Sequence, residues 1–384
     1  MNNVGKHPVL LLLPYVSCSG LELFGLRFVR DLINRGIPAA VASPRGGLIA
    51  EQCLARGVPH LHLPVLGRWD PRAMYHFCQF FDQYSPRLAV GFRTQTAYPF
   101  HLARILKRNH TPFMLFYRIG AGNQPRRDPL HRKLFQHVAA VVPNADHVKN
   151  KILLKWAIAP EKVVCIKSGI DTNKYKPSSD KARAFRAKLG IPSDAIVIGN
   201  TGRIHPEKGS QILLETLFGS GGPAQLREDV YLVYVGREHF AGYADQLNAR
   251  AFELGHAQHF FVLPFRNDIE SVYPAFDVYA LAVTSHETYA YTALEAMASG
   301  VIPIVPKIGG MKEMYVHGEQ GFFFEHRNQN SLREQLQHVL SLDSSARAGI
   351  GAAARRKIEQ HASWDSMMES YLTLMERHGV SIYS

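Results

Sequence analysis

Short, uninterrupted apolar runs alternate with helix-length stretches along almost the whole chain, and this rhythm constrains the fold more than any single residue. In the first half the runs lie at 9–13, 38–42, 88–91, 113–116 and 139–142, separated by helix-like stretches at 21–35, 48–56, 99–109 and 131–138. Strands apolar on both faces belong in a parallel sheet covered by helices on both sides. After a polar, proline-containing stretch at 171–180 the rhythm restarts. Strands then fit 196–201, 231–236, 259–264, 278–283, 302–305 and 321–324, with helices at 209–218, 243–254, 269–273, 291–299 and 331–342. The expected fold class is α/β, with two Rossmann-like doubly wound domains at 1–172 and 173–362 facing a central cleft. A length of 384 residues suits two domains. Trp364, Met367, Met368, Tyr371, Leu372 and Met375 share helical spacing, so residues 363–384 are expected to form a terminal helix that packs back on the first domain.

Composition narrows the class. Hydrophobic content of 46% with 20% charged residues is globular. Cys18, Cys53, Cys78 and Cys165 show neither metal nor redox spacing and read as buried thiols of a reducing compartment. The apolar run at 9–13 meets Pro14 at once, too short for a signal peptide or a membrane span. The expectation is a cytoplasmic protein, soluble or peripheral at the inner face of the membrane. Its net charge of +12 is unevenly shared: residues 1–180 hold 25 Lys and Arg against 10 Asp and Glu, the remainder 19 against 22. The first half therefore faces something anionic. Nucleic acid, an anionic membrane and a phosphorylated substrate all satisfy that charge. A merely solvated basic surface leaves the asymmetry unexplained.

The motifs with chemistry fall mainly in the second half. Ser285, His286 and Glu287 close a strand, and Glu295 follows in a helix that ends at Ser299-Gly300. One carboxylate from a loop and one from a helix can point into one cleft, and the helix start between them suits an anion. A sugar diphosphate has that shape. Against this stands a local reading in which Thr292-Ala293-Leu294-Glu295 is a capping box. The segment from Gly202 to Gly209 follows a strand and opens a helix, with Arg203 and Lys208 supplying charge for a diphosphate. It is neither a Walker loop nor a three-glycine dinucleotide fingerprint; a solvated basic turn is the bland account. Ser17-Cys18-Ser19-Gly20 offers a second helix start for phosphate, or simply an N-cap by Ser19.

Elsewhere, the basic stretch at 125–135 carries Leu130, Leu134, Phe135 and Val138 on one helical face, read as core with a solvated basic side or as a lipid-docking surface. The aromatic residues at 75–84 read mostly as core. No histidine pair has metal spacing.

Taken in this order, the motifs resemble the retaining glycosyltransferases of family 4 (glycosyl transferases group 1), which adopt the GT-B fold. The resemblance runs through Gly202-Arg203 to Lys208-Gly209, Val235-Gly236-Arg237, Asp277, the Glu287/Glu295 pair, Gly309-Gly310 with Glu313, and Gly318 to Gly321. Ser168-Gly169-Ile170-Asp171 with Tyr175 and Pro177 is similar to the family's hinge, and the first half matches at Ser19-Gly20-Leu21-Glu22 and Asn144. The resemblance implies that Arg203 and Lys208 stabilise the departing diphosphate, Glu287 holds the sugar hydroxyls and Glu295 the ribose. Gly20, Gly202 and the Tyr289-Ala290-Tyr291 backbone would approach the donor. No metal or other cofactor is implied, because the cations and the helix dipole stabilise the charge.

Two positions depart from the family. Thr288-Tyr289-Ala290 stands where a Gly-Phe-Gly is usual and narrows the sugar pocket. Tyr117-Arg118 stands where many members carry a histidine, which makes Arg118, with Arg126 and Arg127, a candidate for the acceptor side. The expected activity is hexosyl transfer from a UDP- or GDP-sugar to a lipopolysaccharide, polysaccharide or lipid-linked acceptor. The basic half would contact the acceptor or an anionic membrane, with no nucleic acid partner. A nucleotide-sugar epimerase of similar architecture does not explain the motif set. A catalytically silent sugar-nucleotide-binding scaffold is motivated by the missing glycines and opposed by Arg203, Lys208 and Glu287.

Overall fold

The computed structural model describes residues 4, 6–15, 20–65, 70–117, 125–285, 287 and 289–380. It divides into two compact units, one of residues 1–167 with 368–384 and one of residues 168–367. In the first unit, β1 (Val9–Leu12), α1 (Gly20–Asn34), β2 (Ala39–Ser43), α2 (Leu48–Ala55), β3 (His60–His62) and α3 (Pro71–Tyr84) come first. They are followed by β4 (Leu88–Gly91), α4 (Thr94–Leu106), β5 (Phe113–Tyr117), α5 (Pro129–His137), β6 (Ala140–Pro143) and α6 (Asp146–Lys155). The strands form one parallel sheet in the order β3-β2-β1-β4-β5-β6. Every residue of β1, β2, β4, β5 and β6 is buried, as helices on both faces require.

The second unit carries α7 (Ser179–Lys188), β7 (Ile196–Thr201), α8 (Ser210–Phe218), β8 (Val230–Val235), α9 (Tyr243–Glu253) and β9 (Phe260–Leu263). Then come β10 (Val278–Ala280), α10 (Tyr291–Ala298), β11 (Ile302–Pro306), β12 (Phe322–Phe324), α11 (Gln329–Ser341) and α12 (Ser344–His361). This sheet is also parallel, in the order β12-β11-β10-β7-β8-β9. Arg186 on α7 ties the amino ends of the two central strands, β7 and β10: it pairs with Asp277 at 2.9 Å, and the same carboxylate accepts the Val197 N–H at 2.7 Å.

Several elements escape the sequence rhythm for identifiable reasons. β3 has only three residues, two of them half-exposed histidines, so it lacks the apolar run that marks a buried strand. α3 starts at the Asp70 cap with Pro71 in its first turn; Phe77, Phe80 and Phe81 are core, while Tyr75 is 61% exposed. α4 begins five residues before Pro99 and keeps that proline inside, at the loss of one helical hydrogen bond. The helix expected at 269–273 is two 3-10 turns, Ile269–Ser271 and Tyr273–Ala275, because Pro274 disfavours helical backbone just before it. α6 and α12 were not expected as separate helices; both have mixed, weakly sided patterns. Cys53 and Cys78 are buried, Cys165 is half-buried and Cys18 lies outside the described residues.

The last helix, α13 (Trp364–Glu376), carries residues of both units. Its Tyr371 ring lies 5.2 Å from Phe28 of α1 and 4.5 Å from Phe116 of β5, all inside the first unit. Arg35 reaches Glu369 at 2.5 Å beside them. Tyr371→Ala is expected to cost the first unit roughly 3–5 kcal/mol, the usual loss for deleting a buried aromatic ring. Urea unfolding followed by tryptophan fluorescence checks it; a loss under about 1 kcal/mol would show the ring is not part of the core.

Candidate active site

In the second sheet the chain order reverses between β7 and β10: β8 and β9 continue on one side, β11 and β12 on the other. Doubly wound sheets bind ligands outside the carboxyl ends of the strands at such a reversal. The 202–209 loop leaves β7 there, and residues 281–290 leave β10 and lead into α10.

Three contacts fasten these loops to each other. Gly209 has φ +73°, and a Cβ on it would lie 1.8 Å from the Ala282 carbonyl oxygen, so only glycine fits. The Thr284 N–H donates to the Glu207 carbonyl at 2.9 Å. The Lys208 Nζ donates to Glu287 Oε2 at 2.6 Å, with the two side chains 22% and 23% exposed. That burial screens the pair less than a surface ion pair. On its other side the 202–209 loop is bound to the segment after β8: the Ile204 N–H donates to Arg237 O, and the His239 N–H to Ile204 O. A Cβ at Gly236 would come within 1.5 Å of Gly202 O, so this close approach also needs glycine. Arg203 projects from the same loop, exposed and with no ion-pair partner among the described residues. His205 has a local job, its Nδ1 accepting the Glu207 N–H at 3.2 Å as a cap of the 3-10 turn.

Glu295 is held quite differently. Its Oε2 accepts a hydrogen bond from the Tyr273 hydroxyl at 2.6 Å, and the Tyr175 hydroxyl also donates to this carboxylate. Tyr273 is further linked to Thr201 Oγ1 at 2.6 Å, at the end of β7. Burial raises the Glu295 pKa, and the two tyrosine hydrogen bonds oppose that rise. The capping box does not form. Ala290 is the N-cap of α10, and Thr292 Oγ1 instead pairs with the Tyr279 hydroxyl at 2.6 Å. Burial, then the charges of Glu295 and Glu287, push the Tyr279 hydroxyl well above the phenol range, while the Thr292 hydrogen bond opposes the rise.

The model of the family described as glycosyl transferases group 1 matches residues 181–357. The family resemblance holds for the second unit. The D-inositol 3-phosphate glycosyltransferase of Jonesia denitrificans is 28% identical over 253 residues, 65% of this chain and 59% of that protein. The chain thus spans under two thirds of that relative's length. Among solved structures, Anabaena Alr3699/HepE in complex with UDP superposes with a TM-score of 0.80 at 21% identity, covering 96% of this chain and 100% of that one. A glycosyltransferase from Rickettsia africae gives 0.85 at 19% identity, covering 97% and 98%. The fold is GT-B.

In the second unit the structure brings Lys208 and Glu287 into contact and sets Gly202 and Arg203 on the same loop. Tyr289 and Ala290 are buried, so their side chains belong to the interior, and Tyr291 is half-buried at the start of α10. His286 and Thr288 lie outside the described residues. In the first unit Gly20 is exposed and begins α1; Ser17, Cys18, Ser19 and Arg118 lie outside the described residues. Arg126 stacks over the Trp156 ring at 4.5 Å, and Arg127 Nη2 donates to Leu154 O at 2.5 Å, so both are tied to α6. On α5, Leu134 and Phe135 are core, as is Val138 beyond it, whereas Leu130 is 42% exposed. Among the described residues no group of three His, Cys, Asp or Glu could hold a metal ion.

Sequence reasoning missed Tyr273, Thr201 and Tyr279. Their signal is weak, since each reads as an ordinary strand or core residue until the fold aims the Tyr273 and Tyr279 hydroxyls at α10 and sets Thr201 against Tyr273. The raised Glu295 pKa gives a sign for stability. The folded state binds its proton more tightly than the unfolded chain, so this group's contribution falls as pH climbs from the ordinary carboxylate range through the raised value. Urea midpoints measured across that range should decline less with pH in Glu295→Gln than in the parent. Identical slopes would show the carboxylate to be unperturbed.

Proposed function

We propose that this chain is a retaining glycosyltransferase that moves a hexose from a nucleoside diphosphate sugar to an anionic glycan or phosphorylated acceptor. The observation that carries the reading is the Lys208–Glu287 pair at the strand-order reversal, with Arg203 exposed on the same loop and the start of α10 beside it. Without donor, lysine and glutamate neutralise each other. With donor, Lys208 and Arg203 take the diphosphate oxygens, and the released Glu287 carboxylate accepts hydroxyls of the sugar. Glu295 accepts the ribose hydroxyls, held in place by its tyrosines. The bond from the sugar's anomeric carbon to the diphosphate oxygen breaks, and its electron pair leaves with the phosphate. The acceptor oxygen bonds the same face of that carbon and gives its proton to the departing phosphate, so configuration is retained.

The UDP bound in the Anabaena structure supports a uridine donor, and the name of the Jonesia relative supports a phosphorylated acceptor. A charge-rich first half suits either that acceptor or the inner leaflet. On α4, Leu102, Ile105 and Leu106 are 39%, 56% and 65% exposed, next to the exposed Lys107 and Arg108, a mixture that fits a lipid headgroup zone. No helix among the described residues is long and apolar enough to cross a membrane.

Thermal shift across UDP-, GDP- and ADP-sugars tests the donor: one of them should raise the melting temperature at concentrations above its dissociation constant. No shift with any of the three would overturn the assignment. Arg203→Ala and Lys208→Ala are each expected to lose on the order of 2–4 kcal/mol of transition-state stabilisation, roughly 30- to 1000-fold in kcat/KM. Near-parental turnover in both variants would sink the mechanism. Binding to anionic liposomes should weaken as salt is added, whereas neutral liposomes should not bind.

A further inference from the structure

A cavity of about 470 Å³ opens on the second unit at the amino ends of β10 and β11, the opposite end of the sheet from the Lys208–Glu287 pair. Its volume suits a small molecule. Pro177, Pro274, Phe276 and Ala352 supply an apolar wall. Two features answer an anion. Arg356 on α12 lines the cavity, is exposed and has no ion-pair partner among the described residues, whereas its neighbour Arg355 is paired with Glu359 at 2.6 Å. The amino end of the ten-residue helix α7 lines it too, through Ser178 and Ser179. A further observation points to an occupant: Ser299 also lines the cavity, is 3% exposed, and its Oγ is buried without a hydrogen-bond partner.

The cavity walls are the segments that hold Glu295. Pro177 follows Tyr175 by two positions, and Pro274 is bonded to Tyr273; both tyrosines donate to the Glu295 carboxylate. Ser299 lies one turn beyond Glu295, where α10 ends. Arg355, which also lines the cavity, donates to the carbonyls of Tyr175 and Ala298 and so joins two of these walls.

We propose that this cavity is a second small-molecule site, for a ligand with an apolar body and one anionic head, and that its occupancy changes donor affinity by moving the tyrosines on Glu295. The anionic head lies between Arg356 and the start of α7, the apolar body lies on Pro274 and Phe276, and a polar atom of the ligand reaches the buried Ser299 Oγ as the end of α10 shifts. The coupling half of the proposal rests on the donor role of Glu295 given above; the existence of the site does not. Coupling of this kind is reciprocal, so donor also changes the affinity of the second ligand.

Anilinonaphthalene sulfonate, an apolar ring system with one anionic group, is the probe. Added to the folded full chain, it should give a saturable fluorescence rise. Ala352→Trp fills the cavity from the exposed face of α12, and Arg356→Ala removes the cation; neither residue touches Glu295 or the 202–209 loop. Each is expected to weaken probe binding about tenfold or more. Saturating probe is expected to shift the dissociation constant of UDP-glucose about fivefold or more in the parent, and not in Ala352→Trp. Equal probe affinity in the parent and both variants would overturn the site. Probe binding that obeys the variants but leaves UDP-glucose affinity unchanged would overturn the coupling. Should UDP-glucose and the other sugar nucleotides fail to bind with or without probe, the donor reading falls and the coupling falls with it, while the probe titrations still decide the site.

Discussion

The fastening of the 202–209 loop to the strand end at Ala282 is the constraint on which the rest of the second unit's site depends. Gly209 must lie under the Ala282 carbonyl for α8 to start where it does, and no side chain fits between them. Once that approach is made, the Thr284 N–H reaches Glu207 O and Lys208 reaches Glu287. A cation from one loop and an anion from the next are thereby held across the point where the strand order reverses. Their mutual neutralisation stabilises two half-buried charges, since removing either would leave the other poorly solvated.

Glu295 shows a second way to keep a carboxylate in place. It has hydroxyl donors in place of a cation: Tyr273 from the turn before β10, itself linked to Thr201 at the end of β7, and Tyr175 from the segment before α7. Hydrogen bonds from tyrosines hold orientation without neutralising charge, so burial still raises its pKa. The contrast is between a carboxylate held by a neutralising cation at Glu287 and one held by neutral hydroxyls at Glu295. Tyr273 and Tyr175 also adjoin the walls of the cavity at the other end of the sheet, which is the connection on which the proposed coupling is built.

Much of this was legible before the fold was known. Continuous apolar runs such as 9–13 and 196–201 marked buried parallel strands, because burial on both faces leaves no room for alternation. Glycines at 202 and 209 marked a loop built for close backbone approach. What was not legible had little local signal. β3 is too short to show a pattern, α4 hides a proline in its interior, and Pro274 divided an expected helix into two turns. Thr292-Ala293-Leu294-Glu295 fitted a capping box as a string, but each side chain found a stronger partner across the sheet: Tyr279 for Thr292, Tyr273 for Glu295.

By itself, then, the sequence determined the number and kind of the layers, the loop that carries the cations, and the first carboxylate. These follow from periodicity and from residues adjacent in the chain, whose physics is local. Only the tertiary structure decided that Lys208 pairs with Glu287 and that Glu295 answers to tyrosines 22 positions and more away. It alone closed the cavity by bringing α7, α10 and α12 together. Such contacts depend on strand order, and strand order is set by which buried runs pair, a choice that no short stretch of sequence contains.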